Sequence, residues 1–193
     1  MKLNAKQLRD LEEKHVQGEL REIKRQPLYF ILENIYDTYN IGGLFRLADA
    51  LAIEKIYLCG ECEIPPNSRI KKASIGTYKV VPWVYKKTAQ EAISDLRSKI
   101  YDQRSINIVA VEQDKRSIPY AQAKYELPLA LLFGNESYGV TPETLKLVDQ
   151  IVEIPMWGIN KSLNVIVSAA IVSYFAIINK NLPEWLSGKA STW

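Results

Sequence analysis

The chain has 193 residues, of which 47% are hydrophobic and 24% charged, with a net charge of +3. This is an ordinary globular mix with enough length to bury a core unaided, which excludes a disulfide-stapled miniprotein, a disordered tail and a collagen-like fibre. No run reaches the roughly 18 apolar residues of a membrane span; the longest nearly apolar stretch, Val165–Ile178, is interrupted by two serines and a tyrosine and reads as a buried helix.

The first 25 residues carry seven Lys/Arg but also Asp10, Glu12, Glu13, Glu19 and Glu22. A signal peptide needs an apolar centre and a transit peptide avoids acids, so a cytoplasmic chain is expected. Cys59 and Cys62 suit a reducing compartment. Leu8, Leu11, Val16, Leu20 and Ile23 recur at roughly helical spacing, so residues 4–25 read as an amphipathic helix ended by Pro27. Residues 1–26 thus form an N-terminal helical extension.

Strand-like and helix-like stretches then alternate. Residues 28–35 read as an apolar strand, and 40–52 as a helix with Leu44, Leu47, Ala48 and Leu51 on one side. Residues 55–59 and 80–85 read as strands, the second made an edge or bulged strand by Pro82. Thr88 with Glu91 forms a capping box for a helix running to about residue 100. Strands follow at 106–111, 128–133 and 150–154, then a long apolar helix at 163–179. The tail, 181–193, holds Pro183, Trp185 and Trp193 and suggests docking. Alternation of this kind implies a parallel sheet with helices on both faces.

The charge is unevenly spread. Residues 64–90 contain Arg69, Lys71, Lys72, Lys79, Lys86 and Lys87 and no acid, with Tyr78, Trp83 and Tyr85 interleaved. Such a stretch suits a phosphate backbone with unstacked bases, or a solvated face whose aromatics point inward.

In parallel sheets ligands bind beyond the carboxyl ends of the strands, and three segments there are unusual. Asn40-Ile41-Gly42-Gly43-Leu44-Phe45-Arg46 offers a helix N-cap at Asn40, two glycines that allow close approach, and an arginine about one and a half turns in. By itself it could be a capped helix with a surface arginine. An apolar strand running into Gly134-Asn135-Glu136 offers an acceptor at a strand mouth, and Thr141-Pro142 then opens a helix. Residues 154–164 join a strand to the long helix, with Ser162 and Asn164 at the helix mouth. One cap suffices there, and Asn is a poor helix-interior residue, so two polar groups point to a ligand. No G-x-G-x-x-G or G-K-[ST] fingerprint is present.

Together the three segments resemble the motifs of the SpoU (TrmH) family of RNA ribose methyltransferases, in the SPOUT superfamily. Asn40, Gly42 and Arg46 match N-x-G-x-x-x-R. Gly134, Asn135 and Glu136 match G-N-E. Ile154, Pro155, Met156, Gly158, Ser162, Leu163, Asn164 and Val165 match I-P-M-x-G-x-x-x-S-L-N-V, and Lys72-Ala73-Ser74-Ile75-Gly76 resembles a further Ser-x-Gly segment. The resemblance spans roughly residues 28–180.

The resemblance implies an α/β domain at 27–180 whose C-terminal part is threaded as a deep trefoil knot, a feature otherwise nearly absent from proteins. It implies S-adenosyl-L-methionine as cofactor, held by Leu132, Phe133, Gly134, Asn135, Ile154, Pro155, Met156, Gly158, Ser162 and Leu163. The reaction it implies is methyl transfer to a ribose 2′-hydroxyl. Arg46 would activate that hydroxyl, and Asn40, Glu136, Ser162 and Asn164 would position the reacting groups. A guanidinium stabilises oxyanion charge but is a poor base, so where the proton goes stays open. The sole histidine, His15, lies on the charged N-terminal helix. The resemblance also implies a homodimer with the 163–179 helix near its interface.

Many relatives acting on rRNA carry an extra N-terminal RNA-binding domain, for which no room is expected before residue 27. This favours tRNA over rRNA, with a D-loop guanosine as target. Arg21, Lys24, Arg25, Lys71, Lys72, Lys86 and Lys87 are candidates for gripping phosphates. The alternatives are a non-catalytic RNA-binding protein on the same fold, or the same methyl transfer on rRNA. Cys59-Gly-Glu-Cys62 lacks a second pair for zinc and reads as inert packing. No metal and no membrane partner are expected.

Overall fold

The computed structural model describes residues 3–10, 24–98 and 105–178. A short helix, α1 (Ala5–Asp10), is capped by Asn4, whose Oδ1 accepts from the amides of Lys6 and Gln7. Its Leu8 packs against the main core. The rest of the expected 4–25 helix, residues 11–23 with His15 and Arg21, lies outside the described residues, as do the 181–193 tail and Asn179.

Seven strands follow: β1 (Gln26–Glu33), β2 (Ile53–Cys59), β3 (Trp83–Lys86), β4 (Asn107–Val111), β5 (Ile118–Pro119), β6 (Leu129–Phe133) and β7 (Gln150–Glu153). They form one sheet in the order β3-β2-β1-β6-β4-β7-β5, and every pairing is parallel. The two central strands read as continuous apolar runs because both of their faces are covered. Leu28, Phe30 and Leu32 of β1, with Leu129, Leu131 and Phe133 of β6, feed one core layer. Tyr29, Ile31, Ala130 and Leu132 feed the other.

The first layer is closed by α2 (Thr38–Ala50), α3 (Ser68–Ser74) and α6 (Val165–Ile178). The second is closed by α4 (Ala89–Arg97), with Leu145 of the single-turn α5 (Pro142–Leu145). Helices therefore lie on both faces. Gly42 and Gly43 serve this packing and not a ligand. A Cβ at Gly42 would stand 2.5 Å from the Cβ of Ala73 in α3, and one at Gly43 would collide with the Ile166 side chain of α6.

Several expectations shift. Asn40 is not the cap of α2. Asp37, an equally good cap, accepts from the amide of Tyr39 at 2.8 Å, so the helix starts earlier and the Asn40 side chain is free for other work. At α4 Thr88 does accept from the Glu91 amide, but the Glu91 carboxylate reaches back to the amide of Lys87, not to that of Thr88. The strand expected at 80–85 begins at Trp83, beyond Pro82, and lies at the sheet edge. Helix α3 and strand β5 have no counterpart in the sequence reading. The first shows no apolar period, burying only Ile70 and Ser74, and is fixed by its Asn67 cap; the second is two residues long.

Of the aromatics in the basic stretch, Tyr78 is buried and Trp83 packs against the first core layer, so Tyr85 alone is exposed. Cys59 and Cys62 are free and buried. The Cys62 thiol donates to the carbonyl of Leu32 and accepts from the amide of Ile35. Burial pushes this thiol up to about 11, which fits packing and not redox chemistry.

Candidate active site

The three motif segments converge at the carboxyl ends of β1, β6 and β7. Asn40 Nδ2 donates to Glu136 Oε1 at 2.7 Å. Asn164 Nδ2 donates to Asn40 Oδ1 at 3.0 Å, and Asn164 Oδ1 caps α6 by accepting from the amide of Ile166 at 2.8 Å. The result is an unbroken chain of hydrogen bonds from the start of α6, through Asn40, to a carboxylate at the mouth of β6. Such chains hold each member in one orientation. Asn40 is only 6% exposed, whereas Glu136 and Asn164 are open to solvent.

The loop after β6 is set by its own asparagine. Asn135 Oδ1 accepts from the amides of Ser137 and Tyr138, and its Nδ2 donates to the carbonyl of Asn34 at the exit of β1. Gly134 lets the loop fold onto itself: a Cβ there would collide with the backbone of Gly139 and Val140. A buried carboxylate, Glu33, anchors the far end by accepting from the amide and hydroxyl of Thr141 and the hydroxyl of Thr144.

Beside this constellation opens a cavity of about 620 Å³, within the usual range for small-molecule sites. Of the residues expected around a cofactor, Phe133, Gly134, Asn135, Ile154, Met156, Ser162 and Leu163 line it. Leu132, Pro155 and Gly158 do not: the Leu132 side chain faces the opposite core layer, and a Cβ at Gly158 would meet nothing within 4 Å. Glu136 and Asn164 line the cavity, and Asn40 stands just behind them.

The sequence reading missed Glu112, Gln113 and Glu153, which also line it. Glu112 and Glu153 stand at the carboxyl ends of β4 and β7, where ligands to parallel sheets bind, and that position was the available signal. Glu112 Oε2 accepts from the amide of Val140, and Gln113 Nε2 donates to the carbonyl of Lys161 at 2.5 Å, tying the 154–164 loop to β4. Glu153 accepts from the Ser117 hydroxyl. Three carboxylates, Glu112, Glu136 and Glu153, face the cavity against one cation, Lys161.

Arg46 is exposed and does not line the cavity. It sits six residues beyond Asn40, about 9 Å along α2 and roughly 120° around it. It follows Gly42 and Gly43 by four and three residues, so it emerges on the side flanked by α3 and α6.

The expected phosphate grips divide. Lys71, Lys72 and Lys87 are exposed. Lys86 is paired with Asp95 at 3.5 Å. Arg25 is committed to the fold: its guanidinium donates to the carbonyls of Ile53 and Val80, and burial lowers its pKa despite the nearby Glu54 and Asp49. Lys24 is exposed but precedes β1, at the end of the sheet opposite the cavity. Among the described residues no cluster of His, Cys, Asp and Glu could hold a metal ion, and no helix is long and apolar enough to cross a membrane.

A doubly covered parallel sheet with a small-molecule cavity and a hydrogen-bonded polar cluster at its carboxyl ends defines an α/β ligand-binding domain of enzyme type. The chain belongs to the SpoU rRNA Methylase family, whose model matches residues 27–174. It is 30% identical, over 157 residues, to the tRNA (guanosine(18)-2′-O)-methyltransferase of Escherichia coli K12, a match covering 79% of this chain and 64% of that protein. The chain thus spans less than two thirds of that relative. Its fold is similar to the crystal structure of the A. aeolicus TrmH/SpoU tRNA modifying enzyme (TM-score 0.74, 27% identity, covering 93% of this chain and 89% of that one). It is also similar to an AdoMet-bound rRNA methyltransferase from Sinorhizobium meliloti (TM-score 0.73, 25% identity, 91% and 61%).

Proposed function

We propose that this chain is an S-adenosylmethionine-dependent RNA methyltransferase acting on a ribose 2′-hydroxyl, with tRNA favoured over rRNA. The observation that carries the reading is the Asn40–Glu136–Asn164 chain at the lip of a 620 Å³ cavity. Family membership and relatives named for 2′-O-methylation support it, as does the AdoMet-bound relative.

The cavity suits that cofactor. Phe133, Ile154, Leu163 and Val165 offer apolar walls for an adenine face, and Glu112, Glu136 and Glu153 offer negative charge for a cationic sulfonium and amino group. Bound there, S-adenosylmethionine supplies an electrophilic methyl group. This chain's residues do the rest. Asn40 and Asn164 hold the Glu136 carboxylate in one orientation, so that it can receive a ribose hydroxyl within hydrogen-bond reach. Ser162, at the same lip, adds a hydroxyl contact. Arg46 stabilises the negative charge that develops on that oxygen and grips the adjoining phosphate. Among the described residues there is no histidine.

We read the domain as residues 27–180, flanked by an N-terminal helical extension at 1–26 and a tail at 181–193. The C-terminal part is a trefoil knot, in keeping with the family and with β4 running between β6 and β7. The chain is a homodimer, in keeping with Val167, Tyr174 and Ile178, large apolar residues exposed on α6. Buried free thiols suit the cytoplasm.

The test is incubation of the purified chain with methyl-labelled S-adenosylmethionine and either tRNA or rRNA, then nuclease digestion and mass mapping. A 2′-O-methylated nucleotide in tRNA is expected. Cofactor binding without methylation of any RNA would favour a non-catalytic RNA-binding protein.

A further inference from the structure

A row of exposed tyrosines runs along the carboxyl rim of the sheet, starting at Tyr138 in the cavity wall and leading away from it. Tyr138 follows β6 and is 86% exposed; Tyr36 and Tyr39 follow β1 at 47% and 50%; Tyr85, near the end of β3, is at 43%. Strands β6, β1, β2 and β3 are consecutive neighbours. β2 carries no tyrosine at its exit but supplies the clamp for the two on either side. The Tyr36 hydroxyl donates to Glu61 Oε2 at 2.6 Å, and the Tyr85 hydroxyl donates to the carbonyl of Gly60 at 3.0 Å. Adjacent residues of one turn thus hold two rings by their polar tips while much of each ring stays in water.

Exposed aromatic area normally costs free energy, and a tethered ring cannot turn away to hide it. Cations flank the row. Lys87 follows Tyr85 by two residues, and Arg69, Lys71 and Lys72 project from α3, all exposed. Tyr85 shares a strand face with Trp83, which packs into the same core layer as Ile70 of α3. The acids nearby are Glu61, occupied by Tyr36, Asp37, which caps α2, Glu136, held by Asn40, and Glu63.

We propose that this rim is a stacking track for unpaired nucleotides next to the methylated one. Tyr138 and Tyr39 flank the target, Tyr36 and Tyr85 stack bases leading away from it, and Lys87 with the α3 cations takes the phosphates. Three strand spacings, roughly 14 Å, match the rise of about four stacked nucleotides. Aromatic faces with basic neighbours are how single strands are bound without a sequence code, and unstacked loops are where proteins read RNA. The track rests on the RNA-methyltransferase reading and adds to it a binding subsite for the bases beside the target.

The test compares the wild-type chain with Tyr85→Ala, Tyr36→Ala and Tyr85→Phe. The probes are a labelled hairpin RNA with a seven-nucleotide loop and an RNA duplex of equal length. Each alanine variant should weaken hairpin binding between about fivefold and a hundredfold and leave duplex binding within about twofold. Tyr85→Phe, which keeps the ring, should stay near wild type. Circular dichroism and S-adenosylmethionine calorimetry run alongside. If the wild-type chain binds no S-adenosylmethionine, the parent reading fails. If it binds the cofactor, but the folded alanine variants hold the hairpin as tightly as wild type or lose hairpin and duplex equally, the track alone is overturned.

Discussion

Asn164 donates to the Oδ1 of Asn40 across 124 positions of sequence, and Asn40 passes its own amide proton donor on to Glu136. A carboxamide accepts on its oxygen and donates from its nitrogen, so this one side chain serves both partners. Aspartate at position 40 keeps the acceptor but would set two carboxylates against each other; alanine abandons both partners. We expect Asn40→Asp and Asn40→Ala to lower methyl transfer at least about tenfold and to destabilise the fold by about 1–3 kcal/mol. Initial rates and urea denaturation measure these. A wild-type rate in Asn40→Asp would remove the carboxamide relay from the mechanism.

Arg46 is exposed and stands off the cavity. Its loss should therefore separate chemistry from cofactor binding. Arg46→Ala is expected to reduce turnover by about a hundredfold, the usual effect of losing one oxyanion donor, while calorimetric affinity for S-adenosylmethionine stays within about twofold. Near-normal turnover would mean that some other group activates the hydroxyl.

The two motif glycines nearest the cavity should behave oppositely. A side chain at Gly134 would collide with the Gly139–Val140 backbone, which cannot move without opening the loop that carries Glu136. Gly134→Ala should abolish measurable cofactor binding. Around Gly158 there is open space, so Gly158→Ala should bind cofactor as wild type does. Equal behaviour of the two would show that close approach at β6 is not what the glycine provides.

Lys71 and Lys72 test the electrostatic part of RNA binding. If each neutralises one phosphate, replacing both by alanine should flatten the slope of log affinity against log salt by about 1.4 for an unpaired strand. Filter binding over a salt series gives the slope directly. An unchanged slope with weakened affinity would assign these lysines a structural effect instead.

Burial, which disfavours the thiolate, pushes the Cys62 thiol up to about 11, and it pushes Cys59 up as well. A raised pKa keeps the thiol protonated at pH 8. Alkylation by iodoacetamide should therefore be slow in the folded chain at pH 8 and fast once urea exposes the thiols. Mass spectrometry that finds rapid labelling without denaturant would show that β2 opens readily.

Much of the architecture is written locally. The apolar runs at 28–35 and 128–133, the Thr88 cap and the long apolar helix follow from side-chain periodicity and capping, which act over a few residues. The motif residues Asn40, Glu136 and Asn164 were also legible, through their type and spacing. Their meeting was implied by the family resemblance and not by period or capping, because it depends on β6 lying beside β1, a pairing between residues about a hundred positions apart. The same holds for Asp37 displacing Asn40 as the cap of α2 and for Arg25, a cation that reads as a phosphate grip until two carbonyls claim it. It holds too for Glu112 and Glu153, ordinary acids in sequence that become cavity walls because parallel strands end together. Composition and period determine which segments are strands and helices and which faces are buried. Which polar side chains meet is decided by strand order, since a hydrogen bond needs atoms within about 3 Å and only the assembled sheet sets that distance.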